Sequence, residues 1–250
     1  MFAISQLQEM AKNNKAKIGI GDGGGFAVES SVKTAEREGF ADVTVYNDAL
    51  SLVEALKKGE INAAVRGSLE AKTVLTNVKS RLEVKNILRI AFLVMGDEKL
   101  ILLAPVGVDE GVSLEEKLKI ISLGSELLSK FNVETKAGVL SGGRFEDMGR
   151  DETVDKTLQQ GEKLTKMANK KGISSKHFGI QLEEALESSN IIVAPDGITG
   201  NLMFRALHFM GGGKAIGAPI VNINKVFIDT SRSKKDYSNS IALAGALSGL

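Results

Sequence analysis

Residues Ala194–Pro219, APDGITGNLMFRALHFMGGGKAIGAP, set an acid, an asparagine and six glycines about a single apolar run. The run follows NIIVAP, a buried-strand pattern, and Asp196-Gly197 supplies the turn that ends it. Thr199 or Asn201 can then cap a helix over Leu202–Met210. Leu202, Phe204, Ala206, Leu207 and Met210 leave that helix little polar surface, so it is expected to be mostly buried. Gly211-Gly212-Gly213 suit a left-handed helix cap followed by a close backbone approach. His208 has no second histidine nearby and suits a structural place.

Strand, helix and strand recur outward from this block. KIGIG, VTVY, NAAV, KAGVL, NIIVAP, PIVNI and KVFIDT are short apolar runs separated by helical stretches, the longest being SLEEKLKIISLGSELLSKF. That alternation predicts an α/β fold built of mainly parallel sheets flanked by helices. A hairpin-like pair, ILRIAFLV and KLILLAP, breaks it near the middle and marks an edge or a domain junction. Pro105 and Pro219 bracket the stretch assigned to a second lobe. The expected division is residues 1–96 plus 220–250 in a first α/β lobe and 97–219 in a second.

Composition narrows the chemistry. The chain of 250 residues has a formal net charge of +1, with 43% hydrophobic and 25% charged residues, and lacks the basic excess of a nucleic-acid binder. Without cysteine there are no disulfides, thiolate metal sites or cysteine nucleophiles. Two histidines, His177 and His208, exclude a His-rich metal site and argue against a Ser-His-Asp triad. The N-terminal MFAISQLQEMAKNNKAK is amphipathic and unlike a secretory signal, and no apolar run is long enough to cross a bilayer. A soluble cytoplasmic protein without metal, nucleic-acid partner or membrane insertion is expected. Its chemistry rests on hydroxyls, carboxylates, Arg/Lys and backbone amides.

Four strand ends carry such groups. Arg66-Gly67-Ser68 follows NAAV, with Ser68 as a helix cap and Arg66 as a contact for an anion. Ser141-Gly142-Gly143-Arg144 follows KAGVL; two glycines expose backbone N–H groups there, while a hydroxyl and Arg144 can anchor an oxyanion or phosphate. Asp196, Gly197, Thr199, Gly200 and Asn201 form the third set, and Asp229-Thr230-Ser231-Arg232 after KVFI the fourth. Each also suits an ordinary turn. Gly19 to Gly24 formally matches a dinucleotide fingerprint, with Asp48 as the following acid, but Asp22 would repel a phosphate. A flexible turn is the better reading there.

Taken in order, these stretches resemble the phosphate acetyl/butyryl transferase family, most closely over SSNIIVAPDGITGNLMFRALHFMGGGKAIGAPIVNINKVFIDTSRS. INAAVRGSLEAKTVL and TKAGVLSGG resemble that family's corresponding segments. The resemblance implies a two-lobed phosphotransacylase-like fold (isocitrate/isopropylmalate dehydrogenase-like), usually a homodimer, with acyl phosphate and coenzyme A as small-molecule substrates in an interlobe cleft. No tightly bound cofactor is implied. Ser231 and Arg232 would stabilise charge on the transferred acyl carbonyl, where one such donor is worth roughly 3 kcal/mol. The family carries Gly after Ser-Arg and a later acid that activates the thiol; here Ser233 follows, the acid's position reads Ser238, and Asp236 is the nearest carboxylate. IGIGDGGGFAVES and GITGNLMFRALHFMGGGKAIGAP also resemble the methanogen MtxX group (methanogenesis marker protein 4), whose methyltransferase label implies methyl transfer with a tetrahydropterin or coenzyme M as partner. Loss of the late acid leaves a third possibility, a non-catalytic ligand-binding or assembly subunit.

Overall fold

A computed structural model describes residues 4–96 and 98–249. The start of the amphipathic N-terminal pattern and Asp97 of the hairpin turn lie outside the described residues. The chain opens with α1 (Ile4–Asn14), β1 (Lys17–Gly21), α2 (Phe26–Arg37), β2 (Asp42–Tyr46), α3 (Ala49–Lys58), β3 (Ala63–Val65) and α4 (Ala71–Arg81). It continues through β4 (Ala91–Met95), β5 (Lys99–Ala104), α5 (Leu114–Lys130), β6 (Ala137–Val139), α6 (Glu152–Lys170), β7 (Ser175–His177), α7 (Leu182–Ser188), β8 (Ile191–Val193) and α8 (Gly197–Phe209). It closes with β9 (Lys214–Pro219), β10 (Val226–Asp229) and α9 (Ser238–Ser248).

Two compact units result: Leu88–Ala215, and the residues up to Ile87 joined by those from Ile216 onward. A junction after residue 96 would cut the hairpin, because β4 pairs with β5 from Ala91↔Leu103 to Met95↔Lys99. That pairing keeps β4 with the inserted unit and sets the junction at Ile87/Leu88.

In the unit formed by the two chain ends, the strands run β2-β1-β3-β10-β9, parallel except for β9 against β10. All of β3 and four of the five residues of β1 are buried, as strands covered on both faces must be. Helix α9, SNSIALAGALS, is apolar nearly all round, and Ile241, Ala242, Leu243, Ala244 and Ala246 are fully buried. A Cβ on Gly245 would lie 3.2 Å from Ala11 Cβ, so the missing side chain lets α1 cross closely. The Asn14 amide donates to the carbonyls of Gly245 and Ala246 at 2.9 and 3.1 Å, satisfying groups that the end of α9 leaves open.

The inserted unit orders its strands β4-β5-β8-β6-β7, parallel except at the hairpin. Phe92, Leu93, Ile101, Leu102 and Leu103 bury the hairpin in its core. Helix α8 departs from expectation twice. It begins at Gly197, with Asp196 as its cap accepting from the Thr199 N–H at 2.8 Å, so Thr199 and Asn201 lie inside the helix rather than before it. It is also not mostly buried: Leu202, Phe209 and Met210 are 64%, 55% and 87% exposed. The residues turned inward are Gly197, Gly200 and, near the far end, Leu207. A Cβ on Gly197 would fall 1.7 Å from the Gly107 carbonyl oxygen, and one on Gly200 1.9 Å from that of Pro105. Backbone rests on backbone there, which frees the apolar side chains to face outward. No helix among the described residues is long and apolar enough to cross a membrane.

Gly200→Ala must push α8 off the Pro105 carbonyl and should cost about 1–3 kcal/mol in chemical denaturation. Leu202→Ala, on the exposed side, should change stability by less than about 0.5 kcal/mol.

Candidate functional site

Strands β6 and β8 are parallel neighbours with Val139 opposite Val193. The Leu140 N–H extends the ladder to the Val193 carbonyl at 2.9 Å. The next residues, Ser141-Gly142 and Pro195-Asp196, therefore leave the sheet side by side, at the carboxyl ends where ligand crevices form in such sheets. A pocket of about 480 Å³ opens between them. Of the expected residues, Ser141, Gly142, Asp196 and Thr199 line it. Asp151, Thr153, Thr157 and Met203 also line it and were not expected, because nothing in their local pattern sets them apart from a helix start or face.

Both carboxylates in the wall are helix caps. Asp151 accepts from the Thr153 and Val154 N–H groups at 2.9 and 3.1 Å, and Asp196 accepts from the Thr199 N–H and hydroxyl at 2.8 and 3.1 Å. The two helix N-termini are thus already answered by negative charge. Lys117 donates its ammonium to the Pro195 carbonyl; burial lowers its pKa, and the nearby Asp196 charge works against that shift.

The remaining candidates of this unit have structural places. The Gly142 N–H is taken by Thr157 Oγ1 at 2.9 Å. Gly143 is buried, and a Cβ there would lie 2.5 Å from Val154 Cγ1. These two amides are therefore not an open anion nest. Arg144 is exposed, its N–H donating to Asp147 Oδ2 at 2.9 Å. Asn201 donates to the Val106 carbonyl at 2.9 Å, which ties α8 to the chain after β5. His208 bonds the Gly213 carbonyl through Nδ1 at 2.8 Å, a structural role as expected.

Sequence reasoning passed over His177. Register places it opposite Val139 in β7, and its Nε2 lies 3.0 Å from Ser141 Oγ with both residues buried. Gly161 in α6 leaves room for the ring: a Cβ would come within 2.4 Å of Nε2. Phe145 packs edge-on against the imidazole at 5.0 Å between centroids. Burial lowers the histidine pKa, opposed by Glu162, whose Oε2 is 3.9 Å from Nδ1. No spacing in the sequence announces this pair; only the β6–β7 register does.

The unit formed by the chain ends holds the other candidates. Strands β3 and β10 are parallel with Val65 opposite Ile228, so Arg66 and Asp229 are neighbours. They form a buried ion pair, and the guanidinium also donates to the Leu69 carbonyl at 2.7 Å. Arg66, expected as an anion contact, is 5% exposed and has an internal counter-ion instead. Gly67 is required by geometry: φ is +61°, and a Cβ would sit 1.9 Å from the Gly21 carbonyl oxygen. Ser68 does not cap α4, which Glu70 caps; its hydroxyl joins Asp22 at 2.9 Å and accepts from the Gly23 N–H at 2.8 Å. The Gly19–Gly24 turn is thereby packed against the Arg66–Leu69 turn, and Asp48 simply caps α3.

Ser231 Oγ meets Ser233 Oγ at 2.8 Å, and Arg232 is exposed. Hydrogen bonds from the Thr73 hydroxyl and N–H hold the Glu70 carboxyl down to about 2, with the Arg232 charge adding slightly. Tyr237 donates its hydroxyl to the Ser231 carbonyl at 3.1 Å. Asp236 accepts from the Ser238 N–H and hydroxyl at 2.8 and 3.0 Å, so it serves the start of α9. Lys234 donates to the Ile216 carbonyl and to Ser240 Oγ at 2.6 and 2.7 Å, and burial brings its pKa down to about 8 against the pull of Asp236.

The fold defined by these sheets is that of the phosphotransacylases. A phosphotransacetylase from Streptococcus pyogenes superposes with a TM-score of 0.73 at 15% identity, covering 98% of this chain and 97% of that one. The EutD phosphotransacetylase from Staphylococcus aureus gives 0.70 at 13% identity over 99% and 100%. No family model matches the chain. In sequence it is 40% identical, over 100% of its length and 97% of the relative's, to "Putative methyltransferase mtx subunit X" of Methanosarcina acetivorans. The chain belongs to the MtxX family.

Asp229→Asn should cost about 3–5 kcal/mol in urea denaturation, since it leaves the Arg66 charge buried without its counter-ion. Lys234 adds a pH signature. Its folded pKa lies below the unfolded value, so between about 8 and 10.5 the unfolded chain binds more protons. Stability of this unit should therefore gain a contribution as pH rises through that window. Comparing urea midpoints with Lys234→Met at each pH should show that contribution missing from the variant.

Proposed function

We propose that the chain is a transferase that holds a small substrate in the Leu88–Ala215 pocket; that it moves an acyl group between a phosphate-bearing donor and a thiol such as coenzyme A rests on the resemblance to the acyltransferases, not on the pocket's lining. The observation that most supports a substrate there is the meeting of Ser141-Gly142 with Asp196 and Thr199 in one pocket, at the carboxyl ends of adjacent parallel strands. In this reading Ser231 and Arg232 stabilise the developing oxyanion, a role taken from the resemblance to the acyltransferases. The exposed Arg232 is available for it in a way that the paired Arg66 is not.

A second reading is methyl transfer, which the relatives' names favour, with a tetrahydropterin or coenzyme M as the partner that the resemblance implies. One observation supports it over acyl transfer to coenzyme A: Ser238 stands where a thiol-activating acid is expected, and Asp236 is engaged by the start of α9. A binding or assembly subunit without catalysis is the third.

One experiment separates the three. Purified protein is screened for thermal stabilisation by coenzyme A, acetyl phosphate, coenzyme M and a tetrahydropterin, then assayed for acetyl phosphate and coenzyme A turnover. Acyl transfer requires turnover that falls about 100-fold or more in Arg232→Ala. Stabilisation by coenzyme M or the pterin alone favours methyl transfer, and tight coenzyme A binding without turnover favours the binding subunit.

A further inference from the structure

We propose that Ser141, His177 and Glu162 form a nucleophile, base and positioning carboxylate that allow Ser141 to take an acyl group covalently from an ester or thioester held in the pocket. This goes beyond the proposed transfer reaction and does not involve Ser231 or Arg232. Ser141 Oγ lies 3.0 Å from His177 Nε2, within the range for a nucleophile and its base. If the hydroxyl donates to Nε2, the ring proton sits on Nδ1. That atom is buried, has no hydrogen-bond partner among the described residues, and has Glu162 Oε2 3.9 Å away. In a serine–histidine–acid triad a carboxylate hydrogen-bonded to Nδ1–H holds the imidazole as base toward the serine; here Glu162 lies beyond hydrogen-bond distance of Nδ1, and a small movement of its side chain would close the gap.

The surroundings fix the ring. Gly161 leaves the space it fills, and Phe145 packs against it edge-on. Glu162 from α6 is the charge that acts on His177, and Lys166 pairs with the same carboxylate at 3.0 Å. The groups facing the ring from the Phe145 turn and from the end of β6 are an aromatic ring and the Ser141 hydroxyl, both uncharged. Burial lowers the histidine pKa and so keeps the base neutral near pH 7. Ser141 is 2% exposed yet lines the pocket, so a substrate must reach it from there. Among the pocket's neighbours, Leu140, Val154 and Ile180 suit a small apolar acyl group.

In the reaction, Oγ attacks the acyl carbonyl while its proton passes to Nε2. The carbon–oxygen or carbon–sulfur bond of the donor then breaks, and the leaving alkoxide or thiolate takes the proton from the imidazolium. Water, activated by the same Nε2, releases the acyl group as a carboxylic acid and restores Ser141.

The test treats folded protein with 4-nitrophenyl acetate, and separately with phenylmethylsulfonyl fluoride, and locates the adduct by peptide mass spectrometry. The expected result is one adduct, on Ser141, absent from Ser141→Ala and formed about 100-fold or more slowly in His177→Gln. Its rate in the unmodified chain should fall with acid, with a midpoint below the ordinary histidine value of 6.5 because burial lowers the His177 pKa. Glu162→Gln should slow it and shift that profile to lower pH, and Glu162→Asp should restore both. Melting curves confirm that each variant is folded, and if His177→Gln is not, the pH profile of the unmodified chain decides. Folded protein with no adduct, an adduct retained in Ser141→Ala, or a rate that shows no fall with acid over the whole range in which the chain stays folded overturns the proposal.

Discussion

Val139 faces Val193 across a parallel ladder, and the pocket wall of the inserted unit depends on that register. A shift of one residue would reverse every side chain on the moved strand. Ser141 would leave the pocket wall, and the contact with His177, set by Val139↔His177 on the other side of β6, would be lost with it. Three strands thus have to agree before one hydroxyl is placed. Burial of Ile191, Ile192 and Val193 in the sheet enforces that agreement.

The other unit uses the same device with charge. Val65 opposite Ile228 makes neighbours of Arg66 and Asp229, and burial makes their pairing obligatory. The turn beside them is equally constrained, because Gly67 presses directly on the Gly21 carbonyl. Ser231 and Arg232 follow at once in the chain, so a rigid pair anchors the base of a polar, more exposed loop.

Much of this was legible in the residues. Alternating apolar runs and helices gave the α/β class, and the Asp196-Gly197 block carried the likeness to acyltransferases. The same block misled on α8, because apolar side chains on a helix normally face inward. Here two glycines face inward, against carbonyls supplied by Pro105 and Gly107, and no local pattern reveals a partner so distant in sequence. Arg66 illustrates the converse limit. A strand-end arginine is equally suited to a ligand or to an internal acid, and Asp229 is 163 positions away. His177 went unnoticed for a third reason: its meaning lies in a cross-strand register, not in its neighbours.

The Arg66–Asp229 pair also orders events during synthesis. The inserted unit, Leu88–Ala215, is complete in the nascent chain before β10 and α9 have been made. The earlier segment, with β1 and β3 already translated, meanwhile lacks β10, the strand on the other side of β3, and the helix that covers its core. A half-built sheet edge and an unneutralised arginine must wait until β10 and α9 have emerged. Strand β10 and helix α9 therefore act as the clasp of the unit that β1 and β3 begin, and removing them should be felt at residues far earlier in the sequence.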